Sequence, residues 1–246
     1  SIRRQRQMCI RDSGTPMYGG MCTSEYTQSL LNLSESANKS GVKLTTIFLG
    51  NESLIQRGRN TIAHHFMNLP DATHLLFIDA DIKFRVEDIV KMIQADKSLI
   101  IGPVALKGYN WEEIRKAAVN GEDDIGRTGG VFNINHLPGI DMVDENEPFE
   151  IEHGGNAFMM IRRDVFETLK PHTPIYTNGG RSLPDGVEIY DYFRVEINKD
   201  TNHLLSEDYF LCHSYRQVGG KVWCAPWVET GHFGSHLFNG KYTRNN

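Results

Sequence analysis

The sequence predicts one α/β domain, an open, mixed and mostly parallel sheet flanked by helices, and three observations carry that expectation. From Thr15 onward, short apolar runs alternate with segments whose apolar residues recur at helical spacing, the pattern of strands joined by crossover helices. A chain of 246 residues with 39% hydrophobic content is long enough for one large core. The run His74-Leu75-Leu76-Phe77-Ile78 stops at Asp79-Ala80-Asp81, as a buried strand does when it ends at the functional edge of a sheet.

Taken in order, residues 1–13 are polar and basic without a period and are set outside the fold. The string from Gln5 to Ser13 resembles translated sequencing-adaptor readthrough from environmental assemblies, which would leave a domain at 14–246 with a truncated first strand. A helix is predicted over 26–37, where Leu30, Leu31 and Leu33 supply the apolar side, and a strand over 42–49. Ile55, Ile62, Phe66 and Leu69 recur at helical spacing over 54–69. The strand with the two carboxylates follows, and because side chains alternate along a strand, Asp79 and Asp81 are expected to point the same way.

Val86, Ile89, Val90 and Ile93 mark the next helix, and 99–104 a strand with Pro103 near its exit. Residues 107–120 read as a loop and 121–148 as a long acidic excursion rich in Gly and Asn. Strands are predicted at 149–153 and 157–161, a helix at 163–169 and an irregular insertion at 171–184. A helix over 206–218 opens at Ser206 with Glu207 and Asp208 in its first turn, where the helix dipole favours negative charge. A last strand spans 222–225.

The net charge of −5, without a run of five like charges, argues against a nucleic-acid footprint built on phosphate neutralisation. No apolar stretch approaches the length that spans a bilayer. Cys9, Cys22, Cys212 and Cys224 show no Cys-x-x-Cys spacing, so neither a zinc site nor a disulfide framework is indicated, and a cytoplasmic setting is expected.

Two like charges side by side at the mouth of an apolar element repel and lose hydration, so a bound cation or a shared proton compensates them; a solvated turn is the plainer alternative. A hard cation there would take oxygen ligands and keep positions open for phosphate. Thr15-Pro16-Met17-Tyr18-Gly19-Gly20 ends the first strand, where glycine lets backbone N–H groups approach an anion or a ring, or simply makes a turn. Gln56-Arg57-Gly58-Arg59-Asn60 starts a helix, which places two guanidinium groups near an N-terminus that favours anions. Arg57 and Asn60, three apart, are expected to share a face.

Read together with Gly154-Gly155-Asn156-Ala157-Phe158-Met159-Met160-Ile161-Arg162-Arg163, Ser206-Glu207-Asp208 and Thr230-Gly231-His232, these motifs resemble a family 2-type glycosyltransferase of the GT-A fold. The resemblance runs over residues 15–236 and is nearest to the compact members encoded by phages and large viruses. It implies a hexosyltransferase that moves one sugar, with inversion, from a UDP- or GDP-sugar to a carbohydrate or protein-linked acceptor. Asp79 would contact the ribose or a metal-bound water, and Asp81 would ligate the cation. His232 would complete the metal site, with His213 and His236 as rivals; an imidazole ligand favours Mn²⁺ over Mg²⁺.

Thr15, Pro16 and Tyr18 would line the base pocket, Arg57 and Asn60 would bind the nucleotide, and Gly155 and Asn156 would border donor sugar and acceptor. Asp208 matches the general base, with Glu207 beside it, unless the pair only caps a helix. Ser214 stands where the family often has Arg, with Arg216 two residues on. The processive Gln-x-x-Arg-Trp pattern is absent, which points to single-sugar transfer. A sugar-nucleotide pyrophosphorylase would show basic residues near the first strand, yet 15–28 has no Arg or Lys. A non-catalytic carbohydrate-binding domain of the same fold is the other alternative. Trp111, Trp223 and Trp227 offer either sugar stacking or buried aromatic packing.

Overall fold

A computed structural model of the chain describes residues 10–123, 125–139, 144–179 and 182–235. Strand β1 (Ile10–Met17) lies between β2 (Thr45–Gly50) and β3 (His74–Ile78) and is parallel to both. Parallel neighbours need crossovers, and α1 (Ser24–Lys39) and α2 (Ile55–Met67) supply them. The chain continues through β4 (Ile82–Lys83), α3 (Val86–Gln94), β5 (Leu99–Ile101), α4 (Trp111–Asn120), α5 (Ile125–Thr128), β6 (Ile134–His136) and β7 (Phe149–Gly154). Then come β8 (Phe158–Arg162), α6 (Arg163–Leu169), β9 (Ile175–Thr177), β10 (Glu188–Tyr190), β11 (Glu196–Ile197), β12 (Leu204–Leu205), α7 (Glu207–Gln217), β13 (Val222–Cys224) and β14 (Gly231–His232).

Eight strands form one sheet in the order β2-β1-β3-β8-β5-β13-β7-β6. The sheet is mixed, as expected: six of its eight strands run one way, while β8 inserts antiparallel between β3 and β5, and β7 runs antiparallel to both β13 and β6. The sequence hides which strands are reversed because a strand covered on both faces is an apolar run that reads the same in either direction. Coverage on both faces is visible in the side chains. Leu75, Phe77, Met159 and Ile161 enter the core beneath α2, α6 and α7, with Ile62, Phe66, Phe166 and Leu211. Their neighbours Leu76, Ile78, Phe158 and Met160 enter the opposite core with Tyr26, Ile89 and Met92 from α1 and α3.

Strand β1 starts at Ile10, so the boundary expected after residue 13 falls within it. Asp12 and Ser13 are buried in β1, in register with Thr45 and Thr46 of β2. Two polar residues conceal a strand that the sheet needs as its inner member. Residues 1–9, Cys9 among them, and the far end of 14–246 lie outside the described residues.

The segment expected to be a loop before residue 120 contains α4. Asn110 caps it by accepting a hydrogen bond from Glu113 N at 3.3 Å, and Gly121 ends it in the left-handed region at φ 74°. Within 121–148, β6 forms the sheet edge, and within 171–184, β9 pairs with β10. The tandem arginines are struts: Arg163 donates to the carbonyls of Phe66, Met67, Leu69 and Ala72 at the end of α2, and Arg162 pairs with Asp164 and Asp96. No helix among the described residues is long and apolar enough to cross a membrane.

Candidate functional site

A cleft of about 760 Å³ opens at the carboxyl ends of β1, β3 and β5 and the amino end of β8. Pro16 and Tyr18 reach it from the end of β1, Asp79 and Asp81 from the end of β3, and Gly155 and Asn156 from the approach to β8. Glu207 and Asp208 enter from the first turn of α7, and His232 from β14.

Strand β3 stops at Ile78, and the carboxylates occupy a turn. Asp79 N donates to Ala157 O at 3.0 Å, Ile82 N closes the turn on Asp79 O at 3.1 Å, and Thr23 N fixes Ala80 O at 2.9 Å. Strand alternation therefore does not extend through the triplet, and the two carboxylates take different partners rather than one. Asp79 Oδ1 accepts from Arg59 Nη2 at 3.2 Å, whereas Asp81 Oδ2 pairs with Lys107 Nζ.

Pairing of β14 with β4 sets His232 opposite Ile82, and Phe233 N donates to Asp81 O at 2.9 Å. His232 Nδ1 donates to Ala105 O at 2.7 Å, which in the neutral ring leaves the lone pair on Nε2, 3.6 Å from Asp81 Oδ1. A ring nitrogen held by a backbone carbonyl while the other faces a carboxylate is the support a metal-binding imidazole requires. Ligand atoms about 2.0–2.2 Å from one ion stand about 3.0–3.6 Å apart at ordinary coordination angles, so these two atoms fit a shared cation. Among the described residues no group of three or more His, Cys, Asp and Glu is gathered for a metal ion. Two protein ligands suit a hard cation that takes its remaining oxygens from phosphate and water.

Arg59 is the buried hub of the cleft. The residue is 3% exposed, and its guanidinium bonds Asp79, Glu207 Oε1 at 3.2 Å and Asn156 O at 3.4 Å, so it ties the ends of β3, β8 and α7 together. Burial opposes its charge, but the carboxylates of Asp79, Glu207 and Asp208 outweigh that and hold its pKa above the usual value. Burial pushes the Glu207 carboxyl up and the adjacent Asp208 adds to this, while Arg59 pulls the other way. Asp208 receives hydrogen bonds from the Ser206 hydroxyl and from Tyr209 N at 2.8 Å, both on Oδ1.

Asn156 is 1% exposed and lines the cleft, yet neither its Oδ1 nor its Nδ2 has a hydrogen-bond partner. A buried amide left unsatisfied costs about 1–3 kcal/mol, so this position points to a ligand with hydroxyl or phosphate groups. Its neighbour Gly155 donates to Asn133 O at 3.0 Å, and a Cβ there would stand 3.0 Å from Asn133 Nδ2. Tyr209 steadies that wall, since its hydroxyl donates to Asn133 Oδ1 and accepts from Asn135 Nδ2.

No family model matches the chain, and no curated protein matches it. Among solved structures, the crystal structure of A197 from STIV aligns with 95% of this chain and 99% of its own, at a TM-score of 0.48 and 12% identity. A similarity of that size does not extend to the chemistry of the cleft.

Three residues expected in the site stand outside its lining. Thr15 is fully buried, its hydroxyl 2.6 Å from that of Tyr26. Arg57 makes a two-point pair with Glu52, both contacts at 2.7 Å. Asn60 is satisfied inside the fold, donating to Asp191 Oδ1 at 2.8 Å and accepting from Phe193 N at 2.9 Å. Arg57 and Asn60 both face Tyr176, away from the cleft lining, and the arginine that lines the cleft is Arg59.

The helical period contained that answer. Ile55, Arg59, Ile62 and Phe66 follow one another at intervals of four, three and four, which sets Arg59 on the inward face of α2. His213 does not line the cleft, and His236 lies outside the described residues. Arg216 is a strut from α7 to Glu150 and Ile151 O. Lys107 and Asn133 carry no signal in the sequence; both sit in segments without a period, and only the folded path brings Asn133 into the cleft lining and Lys107 onto Asp81.

Proposed function

We propose that this chain is a cation-dependent glycosyltransferase of the GT-A type. In this reading it transfers one sugar from a UDP- or GDP-sugar to a hydroxyl of a carbohydrate or protein-linked acceptor, with inversion. The observation that carries the reading is that one cleft is lined by the Asp81–His232 pair, by Asp208 and by the unpartnered amide of Asn156. A cation-binding pair, a carboxylate and a buried polar reader are different parts of one displacement.

The end of the cleft formed by Pro16, Tyr18, Ser53 and Ile55 offers an apolar wall with a hydroxyl for the base. Asp81 and His232 would hold a divalent cation such as Mn²⁺, which would supply charge neutralisation for the departing diphosphate. Asp208 accepts the proton of the acceptor hydroxyl while that oxygen bonds to the anomeric carbon. The carbon–oxygen bond to the diphosphate breaks, and its electron pair leaves on the phosphate oxygen. Arrival and departure on opposite faces give inversion without a covalent intermediate. Glu207, held by Arg59, positions the first turn of α7 and with it Asp208.

Asp208→Asn tests the assignment. Transfer falls by about 10²–10⁴-fold, the share of a general base, while binding of UDP or GDP with Mn²⁺ persists. Transfer at the parental rate would remove Asp208 from the chemistry.

A further inference from the structure

Asp81 already has a positive partner. Lys107 Nζ bonds its Oδ2, on the side away from the contact of Oδ1 with His232 Nε2. Lys107 follows the stretch after β5 whose Gly102, Val104 and Leu106 line the cleft, and whose Ala105 carbonyl orients His232. Its stem is seated against the backbone beyond β14: a Cβ on Gly234 would stand 2.7 Å from Lys107 Cδ. The contact is therefore built by close packing, while the side chain remains 45% exposed. An ammonium on a flexible four-carbon stem is a mobile point charge.

We propose that Lys107 is an internal counter-cation of this site. It balances Asp81 until a divalent cation takes that carboxylate, and it then moves onto the diphosphate of the nucleotide. The inference rests on the glycosyltransferase reading, because that reading makes the ligand a nucleoside diphosphate. A divalent cation at Oδ1 withdraws the charge of Asp81 and repels the ammonium on Oδ2, so metal binding weakens the Lys107–Asp81 pair. The diphosphate then supplies new acceptors for the displaced ammonium. Cation and nucleotide affinities become linked through this one side chain.

Calorimetry on the full chain, Lys107→Met and Lys107→Arg, with Mn²⁺ alone and with UDP or GDP in saturating Mn²⁺, tests this. Lys107→Met binds Mn²⁺ alone about two- to fivefold more tightly, the scale of a half-exposed charge interaction that no longer opposes the metal. It binds the nucleoside diphosphate about tenfold more weakly, because a charged hydrogen bond to phosphate is gone. Lys107→Arg keeps the parental pattern. The opposite signs separate this role from a structural one, which weakens both. Unchanged or weaker Mn²⁺ binding by Lys107→Met, or undiminished nucleotide binding, overturns the proposal. If the parent chain binds neither Mn²⁺ nor diphosphate, the glycosyltransferase reading falls and the proposal with it; if the parent binds both and Lys107→Met matches it, only the role of Lys107 falls.

Discussion

Replacing Arg59 with methionine keeps most of its stem volume and removes the charge that joins three edges of the cleft. Glu207, with 12% of its side chain exposed, and Asp79, with 30%, both lose their guanidinium partner. Breaking a buried pair costs about 3–5 kcal/mol because a charge is stranded. Partial solvation of Glu207 lowers that figure and the partly solvated Asp79 contact adds little, so the expected loss is about 2–4 kcal/mol from a total near 5–15. That corresponds to a fall of about 4–16 °C in the thermal midpoint.

Urea unfolding followed by circular dichroism reads the loss directly. Arg59→Met combined with Glu207→Gln removes the stranded charge and recovers about half of it. The pH dependence has a definite sign. Without Arg59, burial and Asp208 raise the Glu207 carboxyl further, so its proton is held more tightly in the folded than in the unfolded chain. The deficit is largest above the raised folded value and shrinks as the pH falls through it. A loss under about 1 kcal/mol, or one that Glu207→Gln does not reduce, would refute the hub role of Arg59.

Asn156→Leu keeps volume and removes the unpartnered amide, so stability stays within about 1 kcal/mol of the parent or rises, while affinity for a nucleotide-sugar falls at least tenfold. A stability loss above about 2 kcal/mol would mean that the amide serves the fold instead. Burial holds the His74 pKa below the ordinary histidine value. Its contribution is fully present above about pH 6.5 and is lost as the pH falls through the lowered folded value, because the unfolded chain takes up the proton first. His74→Gln flattens that part of the acid side of a thermal-unfolding profile; an unchanged profile assigns the acid sensitivity to other groups.

How much of this was readable without coordinates depends on how local each feature is. The β3 run and the helices at its sides were legible because burial on both faces leaves an uninterrupted apolar string and amphipathic helices leave a period. Strand direction was not, since the apolar string of β8 carries no sign of which way it runs. Helix α4 was legible and missed: Asn110 with Glu113 three residues on, and Gly121 beyond, are its start and stop signals.

The resemblance points to Arg57, whereas the period of α2 places Arg59 on the face toward the cleft. Thr15 looks like a ligand contact in a glycine-rich stretch, yet strand β1 turns it inward to Tyr26. The Asp81–His232 meeting was suggested only by resemblance, because the two residues are 151 positions apart and joined by two-residue strands too short to leave a pattern. Lys107 had no sequence signal at all: its place on Asp81 depends on the path of the chain after β5 and on the backbone at Gly234.

The most direct measurement is release of nucleoside diphosphate from a panel of UDP- and GDP-sugars by the purified chain, with and without Mn²⁺, beside Asp81→Ala. The glycosyltransferase account predicts release from one donor class that requires Mn²⁺ and is lost in Asp81→Ala. Donor turnover that proceeds equally without Mn²⁺ and in Asp81→Ala, or no binding of any donor in its presence, would contradict it.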